Sequence, residues 1–213
     1  MLPLLVFGDL IAVWQHRKHF DWTNVRRLAA GSIVGVLLGG FLLWWFHRQQ
    51  DLVVPLIKLE VGLESVILVG LHWYRTWHGL ATSAAPGPVK STATGVLAGA
   101  SSTLAHAAGP IIALYLLPQR LDRRVFVGTC AIYFFLLNTA KLPAYGYSEM
   151  FSRGTLMLSL YLAPLVVGGA LFGFWVNRRL NDQLFAKVVY LLTFVLGWYL
   201  IWDAGMALRN TFH

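Results

Sequence analysis

The chain has 213 residues, of which 57% are hydrophobic and only 12% charged, with a mean hydropathy of +0.62. A soluble domain carries about 25% charged residues, so this composition excludes an ordinary soluble protein and indicates an integral membrane protein. The net charge of +8 does not indicate nucleic acid, because the basic residues fall in short clusters between apolar runs and build no basic face.

Residues 1–14 (MLPLLVFGDLIAVW) are apolar but too short to cross a bilayer at ~1.5 Å per residue. They carry no basic segment ahead of the apolar one and no small-residue cleavage site, so they read as a span whose beginning lies upstream rather than as a signal peptide. Asp9 lies within them.

Runs of roughly 20 apolar residues, enough to cross ~30 Å of hydrocarbon, follow at 28–46 and 52–74. In the first, SIVGVLLGG places Gly35 and Gly39 one helical turn apart, the small-xxx-small spacing of close helix packing. In the second, Glu60 and Glu64 share one helical face, and Glu64 falls about midway along the run. A carboxylate at that depth is expensive and ordinarily faces a bundle interior; Glu64 is a candidate proton carrier or a hydrogen-bonded structural group. Lys58, nearer the end, is expected to snorkel. His16, His19, His72 and His78 stand beside Trp and Arg at span ends and read as interfacial residues.

The segment 91–117 does not behave as a simple span. Counted as one crossing, it leaves the basic residues of the loops divided 8 to 7 between the two sides, against the positive-inside tendency. Counted as a re-entrant hairpin over 93–117, it puts 12 of the 17 basic residues on one side, which is then cytoplasmic. Only Arg48, Arg153 and Arg209 are left in the opposite loops and tail. The two arms, 93–104 and 110–117, have re-entrant length, and His-Ala-Ala-Gly-Pro lies between them. Gly109 suits the positive φ that ends one helix, and Pro110 the first turn of the next. Irregular backbone at membrane depth must line protein or water, so the break is expected at an internal cavity. A helix starting at Pro110 points free N–H groups and its positive dipole end there, which favours an anion. Ser101, Ser102, Thr103 and His106 add donors. The alternative for the hydroxyls is bonding back to the i−4 carbonyl, and for His106 a satisfied interior position.

Three more runs follow at 125–146, 155–176 and 184–203. Cys130, the single cysteine, excludes an intrachain disulfide and reads as a small buried apolar residue. Lys141 lies three residues beyond Asn138, so both share a helical face and offer an amide and a cation to an oxyanion; alternatively Lys141 snorkels to the interface beside Pro143 and Tyr145.

Internal repetition orders these pieces. MLPLLVFGDLIAV resembles the segment GTCAIYFFLLNTA when Asp9 is laid on Asn138, and SIVGVLLGG is matched by VVGGALFGF with Gly169 and Gly173. Each copy holds three spans, an odd number, so the copies have opposite orientations, the pattern of a secondary transporter with a broken element near the midplane. Asp9, equivalent to Asn138, is placed to pair with Lys141 in the absence of substrate and so to act in coupling or gating. The expected fold is therefore all-α, a polytopic membrane protein of inverted three-span repeats with a re-entrant broken hairpin. Its parts are a first repeat at 1–75, a cytoplasmic linker at 76–92 and a second repeat at 93–213.

GVLAGASSTLAHAAGPIIALYLLP, followed by an Arg-rich link and VFVGTCAIYFFLLNTAKLPAY, resembles the second half of the TauE/SafE sulfite exporter family. GDLIAVWQHRKH and VGVLLGG resemble part of its first half. The resemblance implies a transporter of small sulfur-containing anions such as sulfite, sulfoacetate or thiosulfate in the cell membrane, and an additional glycine-rich hairpin ahead of Met1. The chain departs from the family's denser glycine run at Ala107-Ala108-Gly109-Pro110.

The sequence contains no HExxH, CxxC or Walker loop, and no loop longer than about 18 residues to house a nucleotide-binding domain. No enzymatic activity, metal or cofactor is expected. The expected partners are a small anion, lipid, a coupling proton and a second copy in a homo-oligomer. A passive anion channel, or a non-transporting membrane sensor or structural protein, is the alternative.

Overall fold

A computed structural model of the chain describes residues 2–45, 50–79, 86–147 and 153–211. Met1, Arg48 and residues 148–152 of the predicted 145–154 loop lie outside the described residues. The described residues form eight α-helices and one 3-10 turn: α1 (Leu2–His16), α2 (Trp22–Trp45), α3 (Gln50–Trp77), α4 (Pro88–Ala105), α5 (Ala108–Leu116), the turn Leu117–Gln119, α6 (Arg123–Tyr147), α7 (Arg153–Arg179) and α8 (Asp182–Thr211).

Among the described residues, four stretches are long and apolar enough to cross a membrane: Trp22–Leu42, Arg123–Leu142, Ser159–Arg179 and Asp182–Arg209. The predicted span at 52–74 is a helix of sufficient length, α3 with 28 residues, but Lys58, Glu60 and Glu64 interrupt its apolar character and it is not among the four.

The helices begin a few residues earlier than hydropathy indicates, because polar caps start them. Asp21 Oδ1 accepts the N–H groups of Thr23 at 2.8 Å and Asn24 at 3.1 Å, which places the start of α2 at Trp22 rather than at 28. Asn181 Oδ1 accepts the Leu184 N–H at 2.7 Å at the head of α8.

Small residues decide which helices meet. On α2, an added Cβ at Gly31 would lie 2.1 Å from the Thr92 carbonyl oxygen, and one at Gly35 2.1 Å from that of Val96. At Gly39 an added Cβ would lie 3.0 Å from the Thr103 Cβ, and from the opposite side Gly95 and Gly99 of α4 face the Leu28 and Ser32 carbonyls. The α2–α4 contact is therefore backbone against backbone, the close approach that in lipid replaces a hydrophobic driving force. Gly62 and Gly197 do the same for α3 and α8, and Lys58 reaches Asp203 at 2.7 Å across that pair instead of snorkelling.

The glycines that the sequence aligns with Gly35 and Gly39 behave differently. An added Cβ at Gly169 or Gly173 would meet nothing within 4 Å, and Leu160, Tyr161 and Leu165 on the same helix are each about three-quarters exposed. The spacing expected to pack α7 is thus open among the described residues, since no described helix lies over that face. At the centre sits α5, whose Ile112 and Leu116 are fully buried in a core shared with Leu28, Val61, Ala98 and Tyr133.

Candidate functional site around the α4–α5 break

The break lies three residues earlier than the position of Gly109 suggests. α4 ends at Ala105, and His106 takes the left-handed conformation, φ 55°, ψ 29°. The amides of His106 and Ala107 turn back to the Ser101 carbonyl, closing the helix end. Histidine is among the non-glycine residues that tolerate this region. Gly109 therefore lies inside α5 with no positive φ, and Pro110 is the third residue of that helix, still in the first turn where a missing N–H costs no bond. His106 and Gly109 are exposed, whereas Ala107, Ala108 and Pro110 are buried.

Beside the break runs a chain of polar side chains from three helices. Asn138 Nδ2 on α6 donates to Asp9 Oδ2 on α1 at 2.7 Å. Lys141, one turn further along α6, donates from Nζ to Asn138 Oδ1 at 3.3 Å, to the Ser102 carbonyl on α4 at 3.1 Å, and to Ser102 Oγ. Lys141 is completely buried, so the snorkelling alternative is excluded, and all three of its ammonium protons are engaged. Asp9 does not pair with Lys141 directly as expected. Asn138 stands between them, its amide facing each charge with the matching dipole; the ion pairs among the described residues are Lys58–Asp203 and Arg123–Asp182.

The other predicted residues divide. Ser101 supplies the carbonyl that closes α4, and Thr103 Oγ1 donates to the Gly99 carbonyl at 2.8 Å, the i−4 alternative. Gly35 and Gly39 hold α4 against α2 and so position Ser102, while a Cβ added at Gly169 or Gly173 would meet nothing within 4 Å. Glu64 is half-buried on α3, four residues from the exposed Glu60, and no hydrogen bond among the described residues joins it to the Asp9–Lys141 chain.

Two further polar groups had escaped the sequence. Ser32 Oγ, Tyr133 Oη (2.7 Å) and the Gly95 carbonyl (3.1 Å) tie α2, α6 and α4 together. At the far end of α5, the Tyr115 hydroxyl lies 2.7 Å from both Asn24 Oδ1 and Ser91 Oγ, and Gln119 bonds Asn24 and the Tyr115 carbonyl. A tyrosine inside a short apolar arm was the available signal, since a buried phenol requires a partner. His16, expected at the interface, is instead buried, with Nδ1 toward the Ala12 carbonyl and Nε2 3.4 Å from Asn177 Nδ2.

What this arrangement offers chemically is a buried cation, an amide and a hydroxyl next to the N-terminus of α5. That is a donor-rich environment for a small oxyanion. No group of three or more His, Cys, Asp or Glu among the described residues has the arrangement of a metal site. Compared with known families, the chain matches the sequence profile described as Sulfite exporter TauE/SafE over residues 1–200. No curated protein and no solved structure matches it at a significant level.

Proposed function

Because this chain belongs to the Sulfite exporter TauE/SafE family, a family of membrane transporters of sulfur anions, we propose that it carries one small sulfur oxyanion across the cell membrane by alternating access. Sulfite, sulfoacetate and thiosulfate are the candidates. The observation that carries the proposal is the chain Asp9–Asn138–Lys141–Ser102, which places a fully buried cation within one side chain of the α4–α5 break.

In this mechanism the anion arrives at the N-terminus of α5 and competes with Asn138 and the Ser102 oxygens for the Lys141 ammonium. Asn138 and Asp9 then separate from the cation as the anion neutralises it. His106, at the break itself, contributes a ring N–H. Release reverses the exchange, and the Asp9 charge again balances Lys141 through Asn138. Burying the empty site therefore leaves no uncompensated cation, which is what allows the carrier to return empty.

The alternating motion proposed is a rocking of two inverted repeats, 1–75 and 93–213 joined by the linker 76–92, with α4 and α5 forming the re-entrant hairpin and the basic loops cytoplasmic. The meeting of the repeat-equivalent residues Asp9 and Asn138 supports this reading, as does the packing of the equivalent helices α1 on α6 and α3 on α8. Proton coupling is assigned to Asp9 on α1 or Glu64 on α3.

The test is labelled sulfite and thiosulfate flux in proteoliposomes. Saturable flux that falls at least tenfold in Lys141→Ala and in His106→Ala is the expected result. Flux in Lys141→Ala equal to the parent sinks the role of the lysine, and flux that never saturates identifies a channel.

A further inference from the structure

A cavity of about 560 Å³ lies along the start of α2, lined by Trp22, Thr23, Arg26, Arg27, Ala29 and Ala30. The helical repeat explains its shape. Arg26 stands one turn below Trp22 and Arg27 one turn below Thr23, in two neighbouring columns, while Ala29 and Ala30 continue those columns with side chains too short to fill the surface. The result is a groove that joins two guanidinium groups over an apolar floor.

Neither arginine forms an ion pair among the described residues. Asp21, the nearest carboxylate in sequence, is engaged at the helix cap, where Oδ1 accepts the Thr23 and Asn24 amides and Oδ2 the Asn24 side-chain amide at 2.8 Å. The depth of the arginines gives this deficit its meaning. Trp22 and Trp44, both exposed, stand about 33 Å apart along the helix at ~1.5 Å per residue, which fits ~30 Å of hydrocarbon with an indole at each interface. Arg26 and Arg27 then lie about 6 to 8 Å inward of Trp22, and helical side chains lean back toward the N-terminus, which carries both guanidinium groups to the level of the lipid phosphates. Further along, the same face of α2 continues through Ile33, Leu37 and Phe41, all exposed, while Gly31 and Gly35 press the opposite face onto α4.

We propose that this groove is a binding site for one anionic phospholipid, its phosphate held by Arg26 and Arg27 beneath Trp22 and its acyl chains lying over Ala30, Ile33 and Leu37. Guanidinium forks match phosphate oxygens two at a time. Two cations without a protein counter-charge favour a head group of net negative charge over a zwitterionic one. The apolar floor and its continuation down α2 favour a lipid over a free oxyanion.

Native mass spectrometry of the full chain, released from detergent with added dioleoylphosphatidylglycerol or dioleoylphosphatidylcholine, tests the site. The parent is expected to retain one phosphatidylglycerol in preference to phosphatidylcholine. Arg26→Gln with Arg27→Gln is expected to weaken that binding about thirtyfold, the effect of two cations at a membrane surface. Arg178→Gln with Arg179→Gln removes two exposed arginines from the same end of the bundle, where Asn177 meets His16, and is expected to stay within about threefold of the parent. Ala30→Leu keeps both charges but fills the groove, and is expected to weaken the lipid severalfold; it decides the matter if the double arginine variant does not fold. Equal losses in the two double variants overturn the site, since binding then follows net charge alone. Equal retention of phosphatidylcholine by the parent, or parent-like binding in the Arg26 and Arg27 variant or in Ala30→Leu, overturns it as well. Displacement of the lipid by an equal concentration of inorganic phosphate overturns the lipid as occupant and assigns the groove to a free anion.

Discussion

Replacing Asp9 and Lys141 singly and together tests whether Asn138 couples the two charges. Lys141 is fully buried, and the path from its Nζ to Asp9 crosses one amide through contacts of 3.3 and 2.7 Å. A separation of roughly 7 Å at an effective dielectric of about 20 gives an attraction of about 2 kcal/mol. Asp9→Asn removes that attraction and leaves the ammonium without a balancing charge. Lys141→Met removes a buried cation and strands a half-buried carboxylate, together with the Asn138 and Ser102 oxygens that lose their donor. The double variant leaves no charge stranded, so its loss of stability is expected to be smaller than the sum of the single losses by about 2 kcal/mol. Chemical unfolding in mixed micelles, followed for the parent, both single variants and the double, reads that difference. Additivity within about 0.5 kcal/mol refutes the coupling. If Asn138→Leu, made in the same background, leaves the coupling at full strength, the attraction passes through space without the amide bridge.

Three further outcomes follow from the packing. Gly35→Leu is expected to abolish folding or cost more than about 3 kcal/mol, because its Cβ would fall 2.1 Å from the Val96 carbonyl oxygen, whereas Gly169→Leu has open space and is expected within about 0.5 kcal/mol of the parent; thermal unfolding in detergent separates the two. Lys58→Met with Asp203→Asn should change stability by less than about 1 kcal/mol, since side chains 29% and 37% exposed are partly screened; unfolding at low and high salt checks it. Ser102→Ala is expected to weaken sulfite half-saturation severalfold while leaving α4 packed, because Thr103 and Gly99 hold the helix independently; flux and circular dichroism distinguish a binding effect from a folding one.

Residues that share a helical turn were readable in advance. Asn138 and Lys141, three apart on one helix, must face the same way whatever surrounds them, and they do. The break in segment 91–117 was readable because a Gly-Pro pair in an apolar run interrupts a helix. Its placement was not, because the αL position is settled by which residue's amide reaches the Ser101 carbonyl, and that fell to His106. The glycine stripes show the limit most clearly. Gly35 and Gly39 look like Gly169 and Gly173 in the sequence, yet the first pair is covered and the second is open. A spacing states that a close approach is permitted; a neighbour must still be present. Lys58, expected at the interface, found Asp203 because α3 and α8 approach through Gly62 and Gly197, residues 135 positions apart.

Composition, periodicity and the Gly-Pro pair were enough to establish a helical membrane protein, the helix break and the residues that carry charge into the apolar runs. These follow from local rules: how long a run must be to cross lipid, what a proline does to a helix, which residues lie on one turn. Partnership across the bundle was settled only on folding. That Asn138 stands between Asp9 and Lys141, that Ser102 rather than Thr103 receives the ammonium, and that Tyr190 meets His72 depend on helix rotations and crossing points. Those are set by backbone-to-backbone contact at a handful of glycines, where a shift of one residue would turn each polar side chain to a different neighbour.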